Sequence, residues 1–209
     1  MNDILHLFAA GGIIMYPILL ASIAAVAIAI ERHRCYKLAS CDLALLEREL
    51  PALLSQEDYE GAAVLCARSK GLAAEVLREG LERIPLGLDQ RELLEGRASR
   101  AAATVRENLN FVSAIVTLSP LLGLLGTVTG MIRSFDVLSV ADGEPFAITG
   151  GVAEALIATA FGLFVAILAL VIHVWLSQRA NRLIAEIEAA CTIYLSSLGS
   201  RAAKGGAAS

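Results

Sequence analysis

Residues 1–11 hold a single acid, Asp3, and neither lysine nor arginine. A secretory signal peptide carries positive charge ahead of its apolar run, so this start is expected not to be one; here the basic cluster follows the run. Charge is sparse throughout. Only 18% of the 209 residues are charged and the net charge is -4, which offers no basic face and excludes nucleic acid as a partner. The four cysteines, Cys35, Cys41, Cys66 and Cys191, form no C-x-x-C pair and have no histidine set beside them, so no metal site is expected. They read as small apolar fillers. No nucleophile, base and metal come together, which argues against an enzyme and against a cofactor.

What is abundant is apolar. Hydrophobic residues make up 56% of the chain, above the usual fraction of about 45–50%, which points to a polytopic membrane protein. The reading is all-α with three transmembrane helices. Residues 1–11 form an outer, periplasmic amino terminus, and 12–30 the first span, with Pro17 in its first turn where a missing N–H costs least. Residues 31–108 form an inner helical region, 109–132 the second span, 133–147 a short periplasmic connection and 148–176 the third span. Residues 177–198 continue as helix, and 199–209 read as a disordered tail.

Basic residues set the orientation. Of the 17 lysines and arginines, twelve lie between Arg32 and Arg106, four follow Leu176, and Arg133 alone falls between the second and third spans. The positive-inside rule therefore places the amino terminus outside and the carboxyl terminus in the cytoplasm. In the inner region Pro51, Gly71 and the stretch from Pro85 to Gly87 read as breaks, with Ser55 ahead of Glu57 and Asp58 as a helix start. Ala62, Leu65, Leu72, Val76 and Leu77 provide the packed face of a small bundle. From Leu88 to Ile132 one long helix is expected to cross the membrane boundary, and Leu183, Ile187, Ala190 and Tyr194 share a face on the extension of the third.

The last two spans carry stripes of small and polar residues. Ser113, Thr117, Pro120, Gly123, Thr127, Gly130 and Ser134 follow at three- and four-residue spacing, as do Gly151, Ala155, Ala158, Gly162, Ala166, Ala169 and His173. Small residues let helix backbones approach in lipid, so these stripes read first as packing surfaces. Glu154 is different. An acid in the middle of a span costs about 2.5–3.5 kcal/mol, so it must be protonated, paired or turned to a wet interior. By the 100° helical step it lies about 60° to one side of Gly151 and Thr159 about 80° to the other, so the two flank a surface rather than share a line. His173 reads as an interfacial residue beside Trp175.

The segments SPLLGLLGTVTGM (119–131) and GVAEALIATAFGL (151–163) resemble the paired signature of the MotA/TolQ/ExbB proton channel family, and GIIMYPILL (12–20) followed by Glu31 and Arg32 is similar to ExbB. The resemblance covers most of the chain. It implies a three-span inner-membrane protein, a homopentamer around the membrane helices of two copies of an ExbD- or TolR-like partner, with proton flow driving a TonB-like protein. It also implies that Thr127 and Thr159 are pore-facing hydroxyls and that Glu154, the chain's only deeply buried acid, stands near the outer mouth. Gly123, Gly126, Gly130, Gly151, Ala155, Ala158 and Gly162 would pack the helices. A TolQ-like subunit and a non-conducting membrane scaffold remain the alternatives; the absence of a fourth span speaks against a flagellar stator.

Overall fold

A computed structural model describes residues 11–86, 88–140 and 145–206, and among them it is all-helical with no strand. The helices are α1 (Met15–Ala39), α2 (Leu43–Ser55), α3 (Tyr59–Ser69), α4 (Gly71–Glu82), α5 (Gln90–Arg106), α6 (Leu109–Val140) and α7 (Pro145–Gly206), with a 3₁₀ turn at Ile84–Leu86. Three of them, α1, α6 and α7, contain stretches long and apolar enough to cross a membrane. The chain divides into two units, one built from the residues up to Glu31 together with Asn108–Leu176, the other from Arg32–Glu107 and the residues after Leu176.

In the second unit, aspartates start the short helices. Asp42, Asp58 and Asp89 each accept a hydrogen bond from a backbone N–H of the following turn (Leu45, Gly61 and Arg91), satisfying donors that a helix start leaves open. Ser55 does not open a helix as expected; it closes α2, its hydroxyl donating to the Pro51 carbonyl at 2.7 Å. Pro51 is not a break either. It lies inside α2, and the Glu47 position whose carbonyl loses a partner is exposed, so solvent can satisfy it. At Gly71 the chain does turn. Lys70 and Gly71 both have positive φ, and a Cβ on Gly71 would stand 2.6 Å from the Ser40 carbonyl oxygen, so only glycine fits there.

The core of this unit gathers Leu46, Leu50 and Leu54 of α2, Ala62 and Leu65 of α3, Val76, Leu77 and Leu81 of α4, and Leu94 of α5. Leu72 packs partly against it. From α7 come Ile187, Ala190, Cys191 and Tyr194, and the buried Tyr194 hydroxyl donates to Gln90 Oε1 at 3.1 Å. Burial pushes the thiols of Cys41, Cys66 and Cys191 up to about 11 from 9. An acid whose folded value is raised supports the fold fully below its unfolded value and loses that support as pH climbs through the folded one. Between pH 9 and 11 the unfolding midpoint of this unit is therefore expected to fall, and a cysteine-free variant should lose that part of the slope in a pH series of thermal melts. Cys35, which is exposed, should react first with a maleimide, ahead of the buried Cys66 and Cys191.

The first unit has a thin core, Ile18 and Ala25 of α1 against Ile115 of α6 and Val165 and Ala169 of α7. Many larger apolar side chains point outward, among them Leu20, Phe111, Phe164 and Ile167, each more than 60% exposed. A soluble monomer does not expose so much apolar surface; lipid or other protein must cover it.

The boundaries differ from expectation in three places. The single helix expected from Leu88 to Ile132 is interrupted between α5 and α6, where Asn108 takes φ 64 and its side-chain amide donates to Glu31 Oε2 at 3.2 Å. Asparagine tolerates this left-handed conformation better than most residues, and composition alone did not mark it as a stop. The 133–147 connection is mostly helix, because α6 runs on to Val140 and α7 begins at Pro145, a favoured first-turn residue; residues 141–144 lie outside those described. Helix also continues through the Ala- and Gly-rich segment from Gly199 to Gly206, where alanine favours it; residues 1–10 and 207–209 lie outside the description, and with them most of the expected outer terminus.

Candidate functional site

Helices α6 and α7 run antiparallel and touch backbone to backbone. A Cβ on Gly130 would stand 2.9 Å from the Gly151 carbonyl oxygen and 3.0 Å from the Ala155 Cβ; one on Gly162 would stand 2.7 Å from the Ser119 carbonyl oxygen and 2.9 Å from the Gly123 Cα. Between these points Gly123 faces Thr159 and Gly126 faces Ala158. Any side chain at these glycines would hold the helices apart, so their smallness fixes the approach. Ala155 and Ala158 are buried at the same contact, and Ser134 fills the space beside Gly151 while its hydroxyl donates to the Gly130 carbonyl at 3.0 Å.

The α6 stripe does not face α7 along its whole length. Ser113 and Thr117 are exposed, whereas Gly123, Gly130 and Ser134 are buried. Seven positions at a mean spacing of 3.5 on a helix of 3.6 residues per turn drift by about 60°, enough to carry one end off the contact. Pro120 is accommodated within α6 without a break in the helix.

At the end of the hairpin nearest residues 141–144, Arg133 of α6 donates from Nη1 to Glu154 Oε1 of α7 at 2.9 Å. The Glu154 side chain is 23% exposed and that of Arg133 55%, so Glu154 is paired and half-buried rather than deeply buried. A third segment closes on it: Gly12, at φ 72 ahead of α1, lies so near the Glu154 carboxylate that a Cβ there would collide with it. Arg133 and Gly12 escaped the sequence reading. The available signals were that Arg133 is the one base between the two spans and that Gly12 opens the first apolar run.

The threonine hydroxyls differ from each other. Thr159 Oγ1 donates across the contact to the Gly123 carbonyl at 3.0 Å, whereas Thr127 Oγ1 donates back to Leu124 of its own helix at 2.6 Å. Thr159 and Glu154 both reach α6 despite the wide angle between them, because the long glutamate and arginine side chains bridge it. His173 is half-buried, and its Nδ1 has no hydrogen-bond partner among the described residues. Among the described residues no three His, Cys, Asp or Glu side chains gather to hold a metal ion. The arrangement offers a carboxylate with its own internal cation beside the hydroxyls of Thr127 and Thr159 on a largely apolar hairpin.

Comparison with known proteins adds a family match and three relatives. The family model described as the MotA/TolQ/ExbB proton channel family matches residues 68–189. The biopolymer transport protein ExbB-like 1 of Synechocystis sp. is 36% identical over 172 residues, covering 79% of this chain and 67% of the relative. TolQ of the Tol-Pal system from Pseudomonas aeruginosa is 40% identical over 106 residues (47% of this chain, 46% of the relative), and the biopolymer transport protein ExbB of Salmonella typhimurium is 30% identical over 141 (61% and 58%).

Proposed function

The chain belongs to the MotA/TolQ/ExbB proton channel family, a multi-pass inner-membrane family of energising proteins rather than of enzymes, and from that premise we propose that it is an ExbB-like subunit of a proton-driven motor. In this reading five copies surround the single membrane helices of two ExbD- or TolR-like partner chains, and the work is passed to a TonB-like protein that serves transport across the outer membrane. The amino terminus is periplasmic and the carboxyl terminus cytoplasmic. Glu154, Thr127 and Thr159 line the proton path, while Gly123, Gly126, Gly130, Gly151, Ala155, Ala158 and Gly162 hold the hairpin that carries them.

The observation that supports this reading is the placement of a paired carboxylate and a cross-helix hydroxyl on a hairpin made largely of apolar and small residues. Polar groups there are costly, and a passive anchor needs none of them. A proton crossing 100 mV releases about 2.3 kcal/mol, so a few protons suffice for mechanical work. The match to TolQ over 106 residues supports a second reading, a Tol-Pal subunit using the same site.

Glu154→Ala tests the role in cells. Uptake of an outer-membrane receptor's ligand should fall to the level of a strain lacking the protein, while the oligomer keeps its native mass in detergent. Uptake at the normal rate by this variant rules Glu154 out of the path.

A further inference from the structure

The Arg133–Glu154 pair does more than neutralise a half-buried acid. Its guanidinium takes one carboxylate oxygen at 2.9 Å, and the Gly12 backbone closes against the same carboxylate. The hairpin also carries neutral oxygens: the hydroxyls of Thr159 and Thr127 donate to the carbonyls of Gly123 and Leu124 and keep their lone pairs, and the buried Ser119 Oγ has no hydrogen-bond partner among the described residues. A hard metal cation binds by gathering several oxygens, and a carboxylate is the charged ligand it would need first. Here that ligand is occupied by a cation the protein itself carries, one that cannot be deprotonated. Arg133 is 55% exposed, but Glu154 is three-quarters shielded and lies against Gly12, so the pair is less screened than one between two surface side chains.

We propose that Arg133 is a specificity-determining residue of the outer mouth: by occupying the Glu154 carboxylate it keeps sodium and other metal cations from binding there. The guanidinium acts as a resident counter-ion. Protons pass because they move between oxygen atoms and water without needing a coordination shell, whereas a sodium ion would have to displace Arg133. The proposal rests on the proton-motor reading for its setting, yet its test does not depend on proton flux.

The full chain, reconstituted in vesicles with its single-span partner, is assayed for uptake of radioactive sodium. The native protein and Arg133→Lys, which keeps the charge, should stay at the level of empty vesicles. Arg133→Gln should take up sodium above that level, and the double variant Arg133→Gln with Glu154→Gln should return to background, because the ligand that sodium used is gone. Sodium uptake by Arg133→Gln that equals background overturns the proposal; so does equal uptake by Arg133→Gln and the double variant, which would report a general leak. Proton flux in the same vesicles is read separately. Its absence from the native protein would count against the motor reading, while the sodium result would still decide the role of Arg133.

Discussion

Gly162→Val is expected to separate α6 from α7 and to abolish proton flux. The atoms in its way are the Ser119 carbonyl oxygen and the Gly123 Cα, both backbone, so no rotamer change can relieve the clash. Overpacking of a tight contact costs about 1–3 kcal/mol, and the upper end applies where a helix must move. In detergent the variant should unfold at lower denaturant than the native chain. Gly96 provides the control. A Cβ there meets nothing within 4 Å, and it lies inside α5, so Gly96→Ala should stabilise the second unit by about 0.5–1 kcal/mol. The same kind of substitution thus has opposite signs at two glycines. Equal effects would show that helix contact does not explain Gly162.

Thr159→Val and Thr127→Val should both abolish uptake, yet differ in stability. Valine nearly preserves the shape of threonine and removes only the hydroxyl. At Thr159 that hydroxyl is a cross-helix bond to Gly123, and its loss should cost about 0.5–1.5 kcal/mol. At Thr127 the bond returns to the same helix, whose carbonyls are already satisfied along the ladder, so stability should barely change. Denaturant titration together with ligand uptake separates the two contributions. Normal uptake by both variants would remove the hydroxyls from the path, whatever their effect on stability.

Much of this architecture is written in local patterns. Runs of apolar residues mark the stretches of α1, α6 and α7 that can cross a membrane, because length and composition alone meet that requirement. The spacing that put Gly123, Gly130, Gly151 and Gly162 on helix faces is a property of 3.6 residues per turn, and the structure places all four at the α6–α7 contact. What periodicity does not carry is pairing across distance. Glu154 signals from its own segment that it needs a partner, but Arg133 lies 21 residues earlier, and only the antiparallel register brings them within 2.9 Å. Gly12 is further still. The sequence pattern also hides where helices stop: Pro51 looks like a break and is not, the Glu47 position whose carbonyl it orphans being exposed, whereas Asn108 looks ordinary and ends a helix by taking positive φ. Spacing groups Ser113 and Thr117 with the contact residues, but accumulated drift leaves both exposed, off the contact.

If the proton-motor reading holds, protons cross the membrane along this hairpin when the partner is present. Vesicles enclosing a pH-sensitive dye, carrying the full chain with or without its single-span partner and driven by a potassium diffusion potential, measure it most directly. The lumen should acidify with both proteins, and stay unchanged with either alone and with Glu154→Ala plus partner. A lumen that holds its pH under every combination, in vesicles where the intact oligomer is verified, would contradict that reading and leave a scaffold.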